Sequence, residues 1–121
     1  MNEERGSVSV LTAASLFLAC VMCLAAVDLF RVLDVKAQAQ TAADAAALAA
    51  ARELAIPSDR SPQEAAAEYA TLNGATLDSC RCDRGSFEAT VEVEVPVRLV
   101  FLHITRPLVG RARAVVDLGG S

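Results

Sequence analysis

The chain has 121 residues, one small domain's worth, of which 54% are hydrophobic and only 4% aromatic, with no Trp and a single Tyr. So apolar a chain excludes intrinsic disorder, and a net charge of -4 speaks against nucleic acid as the main partner, because phosphate binding needs a basic face. Of the 26 charged residues, three fall in Met1–Arg5 and 23 lie from Asp28 onward, so Gly6–Val27 has none. A plain soluble enzyme does not segregate its charge in this way.

Gly6–Val27 is 22 residues, and as a helix rising about 1.5 Å per residue it reaches roughly 33 Å, enough to cross a hydrocarbon core of about 30 Å. Its Ser7, Ser9, Thr12 and Ser15 can return their hydroxyls to helix carbonyls. The remaining chain is too short to wrap such a helix as a soluble core. A cleaved signal is the rival reading: Leu24-Ala25-Ala26 offers small residues for a peptidase, and Phe17-Leu18-Ala19-Cys20 has the look of a lipoprotein box. Against it, Met1-Asn2-Glu3-Glu4-Arg5 carries two acids and one base where a signal has a positive n-region, and the residues after Cys20 stay apolar. The basic residues on the two sides, Arg5 against Arg31 and Lys36, nearly balance and code orientation weakly.

Between Asp28 and Ala55 there is no Gly or Pro, and good helix formers dominate, so the helix is expected to run on as a stalk, from about Ser9 to Ala55. At heptad spacing Val32, Val35, Ala39, Ala42, Ala46 and Ala49 form a small-residue stripe, with Arg31, Asp34, Gln38 and Thr41 adjoining. Two readings of the alanines stand side by side: high helix propensity alone, or a seam for helix packing centred on Ala39, Ala42 and Ala46. Pro57 ends this helix. Ser61-Pro62-Gln63-Glu64 has capping-box spacing and opens a second helix, which Asn73-Gly74 closes.

From Ala75 the period changes to two. A short strand is expected at Thr76–Cys82. In Phe87–Leu99, apolar Phe87, Ala89, Val91, Val93, Val95, Val97 and Leu99 alternate with polar residues and Pro96, marking a half-buried strand with an edge or bend at the proline. A last strand at Arg111–Leu118 places Arg111 and Arg113 where they can face the glutamates of the strand before. The fold class is therefore α+β: a long transmembrane and stalk helix, a second short helix and a small antiparallel β-meander. Its expected divisions are a short leader (1–6), a membrane span (7–27), an alanine-rich stalk (28–55) and a head (56–121). A head of about 66 residues with few large side chains has a modest core, and needs its stalk helix or a partner for stability.

Chemistry-bearing residues are few and do not assemble into a catalytic set. Cys20-Val21-Met22-Cys23 has redox-motif spacing but lies in the apolar span, where cysteine packs as a small apolar side chain. Cys80 and Cys82 fall on one strand face and are a candidate disulfide if the head is extracytoplasmic; closely spaced, they make either a labile bond or links to other chains. Only His103 is at hand to join them, too few ligands for zinc. His103 also has no nucleophile placed beside it. Glu88, Glu92 and Glu94 read as a solvated strand face balanced by arginines rather than as hydrolytic acids, and Gly119-Gly120 as a flexible end rather than a phosphate loop. No cofactor, no metal, no small-molecule substrate and no enzymatic activity is expected.

The series of a short charged leader ending Arg5-Gly6, Ser7-Val8-Ser9-Val10 opening the apolar span, Val27-Asp28 at its exit, and Gln40-Thr41-Ala42-Ala43-Asp44-Ala45-Ala46-Ala47-Leu48-Ala49-Ala50-Ala51 resembles the TadE/TadG-like proteins of Flp (tight adherence) pilus-assembly and secretion systems. Asn73-Gly74-Ala75, Cys80, the alternating valine strand and the Arg-Ala-Arg-Ala ending resemble the short TadE-like subgroup encoded near secretion and helicase genes. The resemblance implies a bacterial, single-pass inner-membrane protein, pilin-like in fold, with a cytoplasmic N-terminus and an extracytoplasmic head. It would be a minor-pilin or pseudopilin-like component of a Tad pilus assembly or type II-like secretion system. Its partners would be the membrane and other pilus or secretion proteins met through helix packing. A pilin-type leader would be processed between Gly6 and Ser7. The fifth residue after that point, glutamate in pilin-like subunits, is Leu11 here, which sets incorporation into a filament apart from the rest of the expectation. The rival of another class is an exported or lipid-anchored binding module whose N-terminal segment is a cleaved signal.

Overall fold

The computed structural model describes residues 2–99 and 107–116, with side chains from Arg5 onward. Helix α1 (Asn2–Ala55) is followed by α2 (Pro62–Leu72) and by strands β1 (Thr76–Arg81), β2 (Glu88–Val95) and β3 (Leu108–Val115). The strands form one antiparallel sheet in the order β1-β2-β3. This is an α+β fold with the helices laid on one face of a meander.

With no glycine or proline after Gly6, α1 runs 54 residues without a break, about 80 Å at the usual rise. It begins earlier than Ser9, because Ser7 and the residues before it carry no breaking signal. At α2, the Ser61 hydroxyl accepts a hydrogen bond from the Glu64 amide at 3.1 Å, with Pro62 in the first turn. The helix closes by a Schellman motif in which Gly74, at φ +76°, lets the Ala75 amide reach the Ala70 carbonyl at 2.9 Å and its own amide reach that of Thr71 at 3.0 Å. Ser61→Ala is expected to destabilise the head by about 1 kcal/mol, read as a lowered midpoint in urea unfolding of the detergent-solubilised protein.

In β2 the inward residues Ala89, Val91, Val93 and Val95 are buried and the outward Glu88, Thr90, Glu92 and Glu94 are half-buried, the alternation of a one-sided sheet. The strand stops at Val95 rather than at Leu99, since Pro96 has no amide to give the ladder. β3 starts at Leu108, three residues before the expected Arg111; its expected end at Leu118 lies outside the described residues. In β1 the register slips between Leu77 and Ser79, so Asp78 and Ser79 are both exposed while Leu77 and Cys80 both turn inward.

Stalk and head do not form separate bodies. Sheet and α2 fold back on the second half of α1, and one core joins Ala39, Ala42, Ala43, Ala46, Ala47, Ala50 and Ala51 of α1 to Ala66 and Ala70 of α2 and to Val91, Val93 and Val95 of β2. The head's need for its stalk helix has a physical cause: α1 supplies nearly half of that core. The buried alanine face is wider than the heptad stripe, because α1 is covered on one side by α2 and on the other by β2 and β3.

Candidate functional site: the exposed span and the helix–head seam

The two halves of α1 differ in what covers them. From Arg5 to Val27 the side chains are exposed apart from a partly covered Val21, with Val10, Leu11, Phe17 and Met22 each showing well over half their surface. α1 is the one described helix long and apolar enough to cross a membrane. Two of its hydroxyls return to helix carbonyls, Thr12 donating to that of Val8 at 2.8 Å and Ser15 to that of Leu11 at 2.9 Å. Gly6 and Ser7, the candidate processing pair, are exposed within the unbroken helix, and open space surrounds Gly6 where a side chain would stand. Leu11 is exposed to 68%. Cys20 and Cys23 are free thiols on the same exposed surface.

Beyond the span, α1 holds the head by polar hands as well as by alanines. The Arg31 guanidinium donates to the Arg98 carbonyl at 3.2 Å, the Gln38 amide to the Asn73 carbonyl at 3.2 Å, and the Gln40 amide to the Arg111 carbonyl at 2.8 Å. Each reaches a backbone oxygen, so the contact fixes position without depending on the side chain opposite. Sequence reasoning set Arg31 and Gln38 on a stripe beside the alanines and gave neither a partner. Gln40 was visible only as one letter of a motif.

Gly110 was missed altogether. It is buried where β3 crosses α1, and a Cβ there would overlap the Ala39 carbonyl oxygen and come within 3.0 Å of the Gln40 amide nitrogen. Glycine at this point lets strand and helix backbones touch.

Ala39, Ala42 and Ala46 are fully buried, and what covers them is the chain's own head. The seam read from the sequence is filled within the chain, so these positions offer no free face to another helix. Asp28, taken from the sequence as the exit from the span, is 4% exposed and engaged within the protein. Exposed apolar surface continues past it through Leu29, Phe30 and Leu33. The first exposed charges that follow it on α1 are Arg31, Asp34 and Lys36.

On the outer sheet face the arginine and glutamate rows meet as expected. Arg113 engages Glu88 with both ends of its fork, Nε to Oε1 at 2.6 Å and Nη2 to Oε2 at 2.8 Å, and Arg111 reaches Glu92 at 3.3 Å. Such exposed pairs are worth a few tenths to about 1 kcal/mol each. Arg60, just before α2, pairs with Glu68 within it. Cys80 and Cys82 are bonded to each other, their Cα atoms 5.5 Å apart. Among the described residues no group of His, Cys, Asp and Glu is placed to hold a metal ion, and His103 and Gly119-Gly120 lie outside them.

Residues 6–53 match the family model described as Flp pilus-assembly TadE/G-like. The matched stretch is α1 almost end to end, taking in both the exposed span and the alanine face. No curated protein and no solved structure matches the chain.

Proposed function

We propose that this chain is a non-enzymatic, single-pass component of a Tad (Flp) pilus-assembly or type II-like secretion apparatus, in the role of a minor-pilin or pseudopilin-like subunit. The match to the pilus-assembly family model over residues 6–53 and the long apolar helix support a pilus-related membrane component. The minor-pilin or pseudopilin-like role is carried by the division of α1. Its first half exposes an apolar surface that none of the described head residues covers, while its second half is the spine of the head. A subunit so built is held by lipid at one end and presents a folded domain at the other. In the orientation proposed, the N-terminus is cytoplasmic and the head extracytoplasmic, at the bacterial inner membrane, with neighbouring pilus or secretion proteins as partners.

Two measurements on cells carrying a C-terminally tagged chain test this. The tag is expected to resist carbonate extraction with the membrane fraction and to be cut by protease added to spheroplasts. Sequencing of the mature N-terminus is expected to begin at Ser7 or Met1. A start at Cys20 or Val27 would establish the exported or lipid-anchored module instead, and a tag protected in spheroplasts would reverse the orientation.

A further inference from the structure

The Cys80–Cys82 bond joins two unlike positions. Cys82 is 1% exposed and belongs to the core, whereas Cys80 is partly exposed on β1, an outer strand of the sheet. A bond between residues two apart closes so short a loop that it restricts the unfolded chain little, since loop-closure entropy grows with loop length. Nor does β1 depend on it for its place. The strand is held by its ladder to β2, from Thr76 opposite Glu94 to Arg81 opposite Thr90, and Cys82 by the apolar side chains around it. Such a bond is poorly suited to be a structural staple and well placed to be opened from one side.

We propose that Cys80–Cys82 is a thiol–disulfide exchange site that accepts electrons from a small soluble thiol, with Cys80 as the sulfur attacked. The incoming thiolate forms a new sulfur–sulfur bond to Cys80 Sγ; the bond to Cys82 breaks, and its electron pair leaves on Cys82 Sγ, which takes a proton from water. A second thiolate attacks the small thiol's sulfur in this mixed disulfide, releasing Cys80 as a thiolate that is then protonated. Two thiols are thereby oxidised to their disulfide and the protein disulfide is reduced to two thiols. Access selects Cys80, because the buried partner cannot be approached in line. Burial also leaves Cys82 Sγ little room to swing back in line with the mixed disulfide, which lets that species build up.

The test uses the full-length chain in detergent micelles with Cys20→Ser and Cys23→Ser, so that only the head's cysteines respond. Equilibrated across a graded series of reduced and oxidised glutathione, trapped by alkylation and weighed intact, the protein is expected to pass through a one-glutathione adduct. It should be half-reduced where a long-loop disulfide in a reference protein is still fully oxidised. With Cys82→Ser added, oxidised glutathione is expected to modify Cys80 at least about tenfold faster than it modifies Cys82 in the Cys80→Ser protein, the gap that burial imposes. A bond that stays oxidised across the whole series, or equal rates in the two single variants, would overturn the proposal. So would loss of the head's protease resistance when the bond is reduced with Cys80 and Cys82 both in place, since the bond would then be a staple. The titration of the unsubstituted pair decides the matter even where a serine variant fails to fold.

Discussion

Replacing Ala42 and Ala46 together by leucine is expected to loosen the head from α1, at a cost of about 2–6 kcal/mol. Both alanines are fully buried between α1 and the elements laid on it. Each leucine brings three further carbons into a space closed by backbone and by other alanines, and overpacking of this kind costs about 1–3 kcal/mol per site. α1 itself would remain helical, leucine being almost as good a helix former as alanine. The measurement is therefore limited proteolysis of the 56–121 segment, where rapid cutting is expected, rather than helix content alone. Ala37→Leu, at an exposed position of the same helix, should leave the digestion pattern unchanged. Protease resistance equal to the parent's in the double variant would contradict the seam as described. The same result bears on how partners are sought: loss of co-purification in an Ala42 or Ala46 variant reports a displaced head, so partner contacts are better probed at exposed Phe30 or Leu48.

Gly110→Val is expected to be nearly as damaging, by about 3 kcal/mol, from one site. The atoms that a new side chain meets are the carbonyl of Ala39 and the amide of Gln40, parts of a helix backbone that cannot rotate away as a side chain does. β3 would have to lift from α1, straining the Gln40 hydrogen bond to the Arg111 carbonyl. Urea unfolding in micelles, followed by near-ultraviolet signal from the head's Tyr69 and Phe87, should show the lowered midpoint. Gly6→Val, placed in open space on the span, should not shift it.

These two sites show how far the sequence could be read and where it stopped. Local patterns transferred well: the Ser61-Pro62 cap and the Asn73-Gly74 stop appear in the structure as read, and the valine alternation holds from Ala89 to Val95, short of the Phe87–Leu99 expected. The arginine–glutamate facing also followed, because antiparallel neighbours share an alternation. What the patterns could not carry was the choice of partner. An alanine stripe on a helix specifies close approach and is silent about what approaches, so Ala39, Ala42 and Ala46 fitted a neighbouring chain as well as the chain's own sheet. Gly110 needs the crossing of β3 over α1 before its lack of a side chain means anything. Asp28 shows the same limit: a charge after an apolar run does not tell that its carboxylate will be covered within the protein.

Because the second half of α1 is the centre of the head, the protein has no joint between its apolar end and its folded end. A domain on a flexible tether can turn freely, and a neighbour must catch it. Here any roll of the helix about its long axis carries the sheet around with it, and any tilt swings the sheet through an arc set by the length of α1. Once the span is in a bilayer, its rotational setting among other helices therefore decides which side of the sheet faces the next molecule. The setting of the apolar end is thereby read out, as a rigid lever reads a small angle, at the sheet.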